Sequence, residues 1–95
     1  MTLPMTEDQL LSAILDAAKL LGWRAFHVRN SKAGVIQGDP GFPDLVLVRK
    51  GDVIFVELKS QLGRMTDAQR AWGDALPSCY LIRPSDLDWF LDVLR

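Results

Sequence analysis

Residues 44–59 read DLVLVRKGDVIFVELK, and the fold turns on how this stretch is read. Asp44 to Arg49 and Val53 to Lys59 are rich in β-branched and apolar residues, and Lys50-Gly51 between them places a glycine where a tight turn wants a positive φ. The stretch is a β-hairpin. A two-residue loop sets Arg49 opposite Asp52, so directly opposed residues sum to 101 and Asp44 faces Glu57. Lys59, two residues past Glu57, shares its face. A loop of another length would shift the register by one residue and leave the three close, with their common face open. Val46, Val48 and Phe55 lie on one face, and Leu45, Leu47, Ile54, Val56 and Leu58 on the other. Such a sheet is expected to be covered on both sides by helices.

Those helices can be read on either side of the hairpin. Thr6-Glu7-Asp8-Gln9 has the form of a capping box ahead of Leu10, Leu11, Ile14, Leu15, Ala18 and Leu21, a helical spacing that predicts a first helix from Glu7 to Leu21. Gly22 suits its end, and Trp23 to Arg29 reads as a strand carrying Trp23, Phe26 and Val28. Residues 30–43 hold Gly34, Gly38, Gly41, Pro40 and Pro43, and are expected to form a long ligand-facing loop. Beyond the hairpin, Thr66 to Gln69 repeats the capping box, with Ala68, Ala71, Trp72 and Ala75 on a helix closed by Pro77. Ser78 to Ile82 is a short strand. Ser85 is expected to cap a last helix whose buried stripe is Leu87, Phe90, Leu91 and Leu94. Trp72 and Trp89 are expected to pack in the core. The order is αβββαβα, in one domain spanning residues 1–95 with no repeat and no linker.

Two carboxylates opposed across a hairpin repel, and burial raises that cost, so the pair calls for a cation or a shared proton. Mg²⁺ needs only one or two protein carboxylates, completing its shell with water and substrate phosphate. Asp44 and Glu57 meet that requirement, while Lys59 can orient a water or offset charge on a pentavalent phosphorus. The chemistry this implies is phosphodiester hydrolysis. Taken singly, each of the three could be an ordinary rim charge; their convergence at one end of a mostly apolar hairpin, beside a glycine-rich loop, favours a site.

Pro43-Asp44, twelve intervening residues, then Glu57-Leu58-Lys59 resembles the PD-(D/E)xK nuclease signature. The finer pattern, Gly41-Phe42-Pro43-Asp44, Val56-Glu57-Leu58-Lys59, then Thr66 to Gln69 and Trp72, is similar to the VRR-NUC branch of that superfamily over nearly the whole chain. The resemblance implies an α/β, restriction-endonuclease-like αβββαβα core, a mixed sheet flanked by helices. It also implies metal ligation by Asp44, Glu57 and the Leu58 carbonyl, with Lys59 serving the nucleophilic water and Mg²⁺ or Mn²⁺ as the cofactor. In this family an acid on the first helix often reaches the site, and Glu7 is the candidate, although the helix dipole alone would favour an acid there. Gln69 matches the family's glutamine and equally fits the third position of a capping box. The family's stand-alone members resemble small phage and prophage proteins that act as homodimers on branched DNA. The implied activity is therefore an endonuclease on Holliday-junction-like DNA, with flaps or duplex as other substrates. A non-catalytic DNA-binding or assembly subunit is the reading from another class.

Composition is consistent with this. At 95 residues, 48% hydrophobic and 24% charged, the chain is an ordinary globular domain. The net charge of −1 hides an asymmetry: residues 19–64 carry eight Lys or Arg and four acids, the remainder three and eight. Arg29, Asn30, Ser31 and Lys32 in the basic half form a cluster that can grip a phosphate backbone or merely solvate a surface. His27 is left without a role. The single cysteine, Cys79, excludes a disulfide framework and a cysteine metal cluster, and reads as a small buried hydrophobe. With neither a signal-like N-terminus nor a long apolar run, a cytoplasmic, membrane-free setting is expected, in a host cell for a phage-borne protein.

Overall fold

A computed structural model describes residues 5–28 and 37–95. The elements run α1 (Glu7–Leu20), β1 (Arg24–His27), β2 (Leu45–Arg49), β3 (Asp52–Leu58), α2 (Asp67–Ala75), β4 (Cys79–Ile82), a 3-10 turn (Pro84–Asp86) and α3 (Leu87–Leu94). This is the αβββαβα order expected from the sequence. The four strands form one sheet in the order β1-β2-β3-β4, antiparallel except for the parallel β3–β4 pair joined through α2.

The hairpin register follows from its turn. Lys50 and Gly51 both take positive φ, 50° and 85°, the conformation that matches the twist of the flanking strands. Arg49 then pairs with Asp52 and Leu45 with Val56, as the two-residue loop predicts. Leu45, Leu47, Ile54, Val56 and Leu58 all point to one side, where they are buried against Leu10, Ile14 and Ala18 of α1 and Phe90 and Leu94 of α3. Trp23 seals one end of this core, its indole N–H donating to the Leu94 carbonyl at 2.8 Å, with the Arg49 guanidinium 4.4 Å from its ring. It lies just before β1 rather than within it.

The second face is covered less evenly than its apolar pattern suggests. α2 lies over the β3–β4 side, with Phe42 edge-on to both Phe55 and Trp72. On the β1 side Phe26 remains 66% exposed. Both capping boxes form as read: Thr6 with Gln9, and Thr66 with Gln69.

Three expectations are corrected. Ser85 caps no helix: the chain first makes a 3-10 turn at Pro84, Asp86 accepts the Arg83 N–H at 2.9 Å, and the Ser85 hydroxyl is engaged by Gln61. Trp89 is not core but 54% exposed, leaning on Tyr80, and Trp72 is half-buried with its N–H on the Asp39 carbonyl. Cys79 is half-buried, on the α2 face; its thiol is pushed up by burial and then by the charge of Glu57, which keeps it protonated. Among the described residues no helix is long and apolar enough to cross a membrane.

Candidate active site

The site forms at the open end of the hairpin, where β2 begins and β3 ends. Pro43 is buried and delivers Asp44 to the mouth of β2, and the Val28 N–H donates to the Asp44 carbonyl at 2.7 Å, tying β1 to the same point. The β2–β3 register, continued one step, sets Asp44 opposite Glu57. Asp44 Oδ2 accepts the Leu58 N–H at 2.8 Å. The N–H and C=O of one residue leave an extended strand toward the same neighbour, so the Leu58 carbonyl also faces the Asp44 side.

Among the described residues Glu57 is the one buried charged side chain, 3% exposed. Its Oε1 accepts the Gln69 side-chain N–H at 3.0 Å and lies 3.8 Å from Lys59 Nζ. Its Oε2 is buried with no hydrogen-bond partner. Leaving a buried polar atom unsatisfied costs about 1–3 kcal/mol, and more if it is charged. That is a large share of the roughly 5–15 kcal/mol by which a domain is stable. The Glu57 pKa rises from 4.5 to about 8, first because burial disfavours the ion and then because the neighbouring Asp44 carboxylate repels it. Lys59 opposes the rise and the charge of Glu7 adds to it.

Gln69 reaches Glu57 because α2 is docked tightly on the segment that precedes Asp44. Gly41 has φ 95°, and a Cβ there would meet the Ala68 and Gln69 backbone at 2.5–2.7 Å, so only glycine permits this approach. The Gln69 side chain makes both contacts at once. Its side-chain oxygen accepts the Thr66 N–H at 2.9 Å, closing the capping box, while its amide nitrogen holds Glu57.

Glu7 sits in the exposed first turn of α1, on the wall of a recess of about 180 Å³ that it shares with Asp8, Leu11, His27, Val28, Asp44 and Leu58. His27, left without a role from sequence, is set beside Asp44 by its β1–β2 pairing with Leu45, whereas Asp8 reaches the recess through the docking of α1. The basic run Arg29, Asn30, Ser31 and Lys32 lies outside the described residues.

The donor set is all oxygen: two carboxylates and a strand-end carbonyl. Among the described residues no group of three or more His, Cys, Asp or Glu side chains is gathered to enclose a metal. The set suits a hard divalent cation that completes its shell with water and phosphate, and the unpartnered Glu57 Oε2 is an atom such an ion would satisfy.

A four-stranded mixed sheet flanked by helices is consistent with a nuclease-like α/β core. The family model described as the VRR-NUC domain matches residues 5–81, and the chain belongs to that family. Membership implies a nuclease-type, DNA-processing function. Neither the comparison with curated proteins nor that with solved structures found a match.

Proposed function

We propose that this protein is a Mg²⁺- or Mn²⁺-dependent endodeoxyribonuclease that hydrolyses phosphodiesters in structured DNA, with Holliday-junction-like branches favoured over flaps and plain duplex. The observation that carries the reading is the buried Glu57 with its unpartnered Oε2, beside Asp44 and Lys59. In the reaction a water oxygen adds to phosphorus and one P–O bond to a sugar oxygen breaks, leaving a phosphate monoester and a hydroxyl.

Asp44, Glu57 and the Leu58 carbonyl would hold the cation. When bound, the ion supplies Lewis-acid stabilisation of the phosphate and makes a neighbouring water more acidic. Glu57 would serve as a ligand in its ionised form, with the Gln69 amide donating to its Oε1. Lys59 Nζ orients the attacking water and offsets charge gathering on the phosphoryl oxygens. Glu7 stands at the rim, where an acid can take a position through water. On sequence grounds Arg29, Asn30, Ser31 and Lys32 grip the DNA backbone. A homodimer would supply two such sites for paired incisions on a branched substrate, in the cytoplasm where a phage-borne nuclease meets DNA.

The test is cleavage of end-labelled junction, flap and duplex DNA with Mg²⁺, Mn²⁺ or chelator. Metal-dependent cutting, lost in Glu57→Ala and Lys59→Ala, supports the reading. Undiminished cutting by those variants contradicts the assigned roles, and tight metal-independent binding with no product on any substrate would make the protein a DNA-binding subunit.

A further inference from the structure

Ser60–Arg64 leaves β3 directly after Lys59, and it is tied down more firmly than a five-residue surface segment requires. Arg83 Nη1 donates to three of its carbonyls: Ser60 at 2.8 Å, Gln61 at 3.3 Å and Gly63 at 2.6 Å. Gln61 Nε2 donates to Ser85 Oγ at 2.9 Å, and the Ser85 N–H returns a bond to Gln61 Oε1 at 3.1 Å. The Gly63 N–H closes the turn on the Ser60 carbonyl at 3.2 Å. At the tip stands Leu62, 92% exposed, the most exposed large apolar side chain among the described residues.

A lone exposed leucine is ordinary and needs no explanation by itself. Leu62 differs in what surrounds it. Its backbone is already ordered, so burying it against a partner adds little entropic cost. It lies three residues from Lys59, a chain distance of at most about 11 Å. Exposed Arg64 follows it by two residues, the Arg83 guanidinium lies against the carbonyls of its loop, and no acid occurs between Leu58 and Thr66, a local charge complementary to a phosphate backbone.

We propose that Leu62 is an apolar wedge that enters the base stack of DNA lying at the Asp44–Glu57–Lys59 site, and that Arg83 is the positioning residue holding its loop. The proposal rests on the DNA-processing reading above. Leucine is among the side chains that part base steps and kink a duplex, and the unstacking cost is least where bases are already poorly stacked. A wedge beside the scissile phosphate therefore favours branch points over continuous duplex. Substrate choice then resides in this loop.

The test uses a junction carrying 2-aminopurine at the branch point, with the same probe in continuous duplex, bound by the full chain in Ca²⁺, which takes the same oxygen ligands. Wild-type protein is expected to raise junction emission about threefold as the probe unstacks, and to raise duplex emission less. Leu62→Ala and Leu62→Ser lose the rise with an unchanged thermal melt, since the side chain is exposed. Arg83→Lys, with fewer donors for the three carbonyls, lowers it in part. Equal emission from wild type and the Leu62 variants, or no rise on DNA that is demonstrably bound, overturns the wedge. Parallel cleavage in Mg²⁺ separates the two readings: cutting without an emission change rejects the wedge alone, an emission change without cutting on any substrate rejects the nuclease alone, and no DNA binding rejects both.

Discussion

Gln69 Nε2 lies 3.0 Å from Glu57 Oε1, while the oxygen of the same amide accepts the Thr66 N–H at 2.9 Å. One side chain thus starts a helix with one end and orients a buried acid with the other. The two jobs can be separated, because a capping box accepts glutamate as well as glutamine at its third position. Gln69→Glu keeps the cap but places a third carboxylate on Glu57. The expected outcome is about a tenfold fall in cleavage rate, with metal-free thermal stability lowered and recovered by Mn²⁺. If Gln69→Glu cleaves like wild type, Gln69 is a cap and nothing more.

A second prediction concerns pH. The Glu57 pKa is raised from 4.5 to about 8 on folding, so across that window the folded chain holds a proton that the unfolded chain has released. Stability then falls as pH rises. Metal-free protein is expected to lose stability progressively from about pH 4.5 to about 8. Glu57→Gln, which cannot ionise, flattens the slope and exceeds wild type at pH 8. Urea denaturation followed by circular dichroism at several pH values measures this, and equal slopes in both proteins would exclude a strained carboxylate.

Lys59 should act on rate rather than on metal affinity. Its ammonium stands 3.8 Å from Glu57 Oε1 and is mostly buried. Removing one preorganised group that stabilises transition-state charge costs about 10²–10³ in rate, the loss expected of Lys59→Ala in single-turnover cleavage. Mn²⁺ binding should survive the change. Loss of binding together with rate would make Lys59 a structural partner of Glu57 instead.

The divalent ion should also stabilise the fold. A ligand present at 100 times its Kd adds about 2.7 kcal/mol. Saturating Mn²⁺ is therefore expected to raise the melting temperature of wild type by several degrees, and to leave Asp44→Ala unmoved, as differential scanning calorimetry would record.

The hairpin was legible because Lys50-Gly51 suits a two-residue loop, and once that loop forms Arg49 pairs with Asp52 and the register, continued past Leu45, sets Asp44 opposite Glu57. Both capping boxes were equally plain. Depth was not legible. Period-two alternation says that Glu57 shares a face with Phe55 but not that α2 closes over it, which depends on Gly41 meeting the Ala68–Gln69 backbone. The Ser85 cap was misread because Pro84 opens a 3-10 turn one step before the helix, and Trp89 because its helical spacing is that of Phe90's neighbour on the outer edge of the stripe. Asp8 carried no signal along the chain, since its place near Asp44 arises from the docking of α1, and the approach of His27 needs the β1–β2 register, which no turn between those strands fixes.

The central claim is that Asp44 and Glu57 together hold a divalent cation. Calorimetric titration of Mn²⁺ at pH 7, in two buffers of different ionisation enthalpy, tests it directly, because a Glu57 protonated up to about pH 8 must release its proton on ligation. The account predicts binding with proton release in wild type, no proton release in Glu57→Gln, and no binding in Asp44→Ala. Unchanged affinity in Asp44→Ala would contradict it, whereas wild-type heats that do not depend on the buffer would show Glu57 to be ionised before the ion binds.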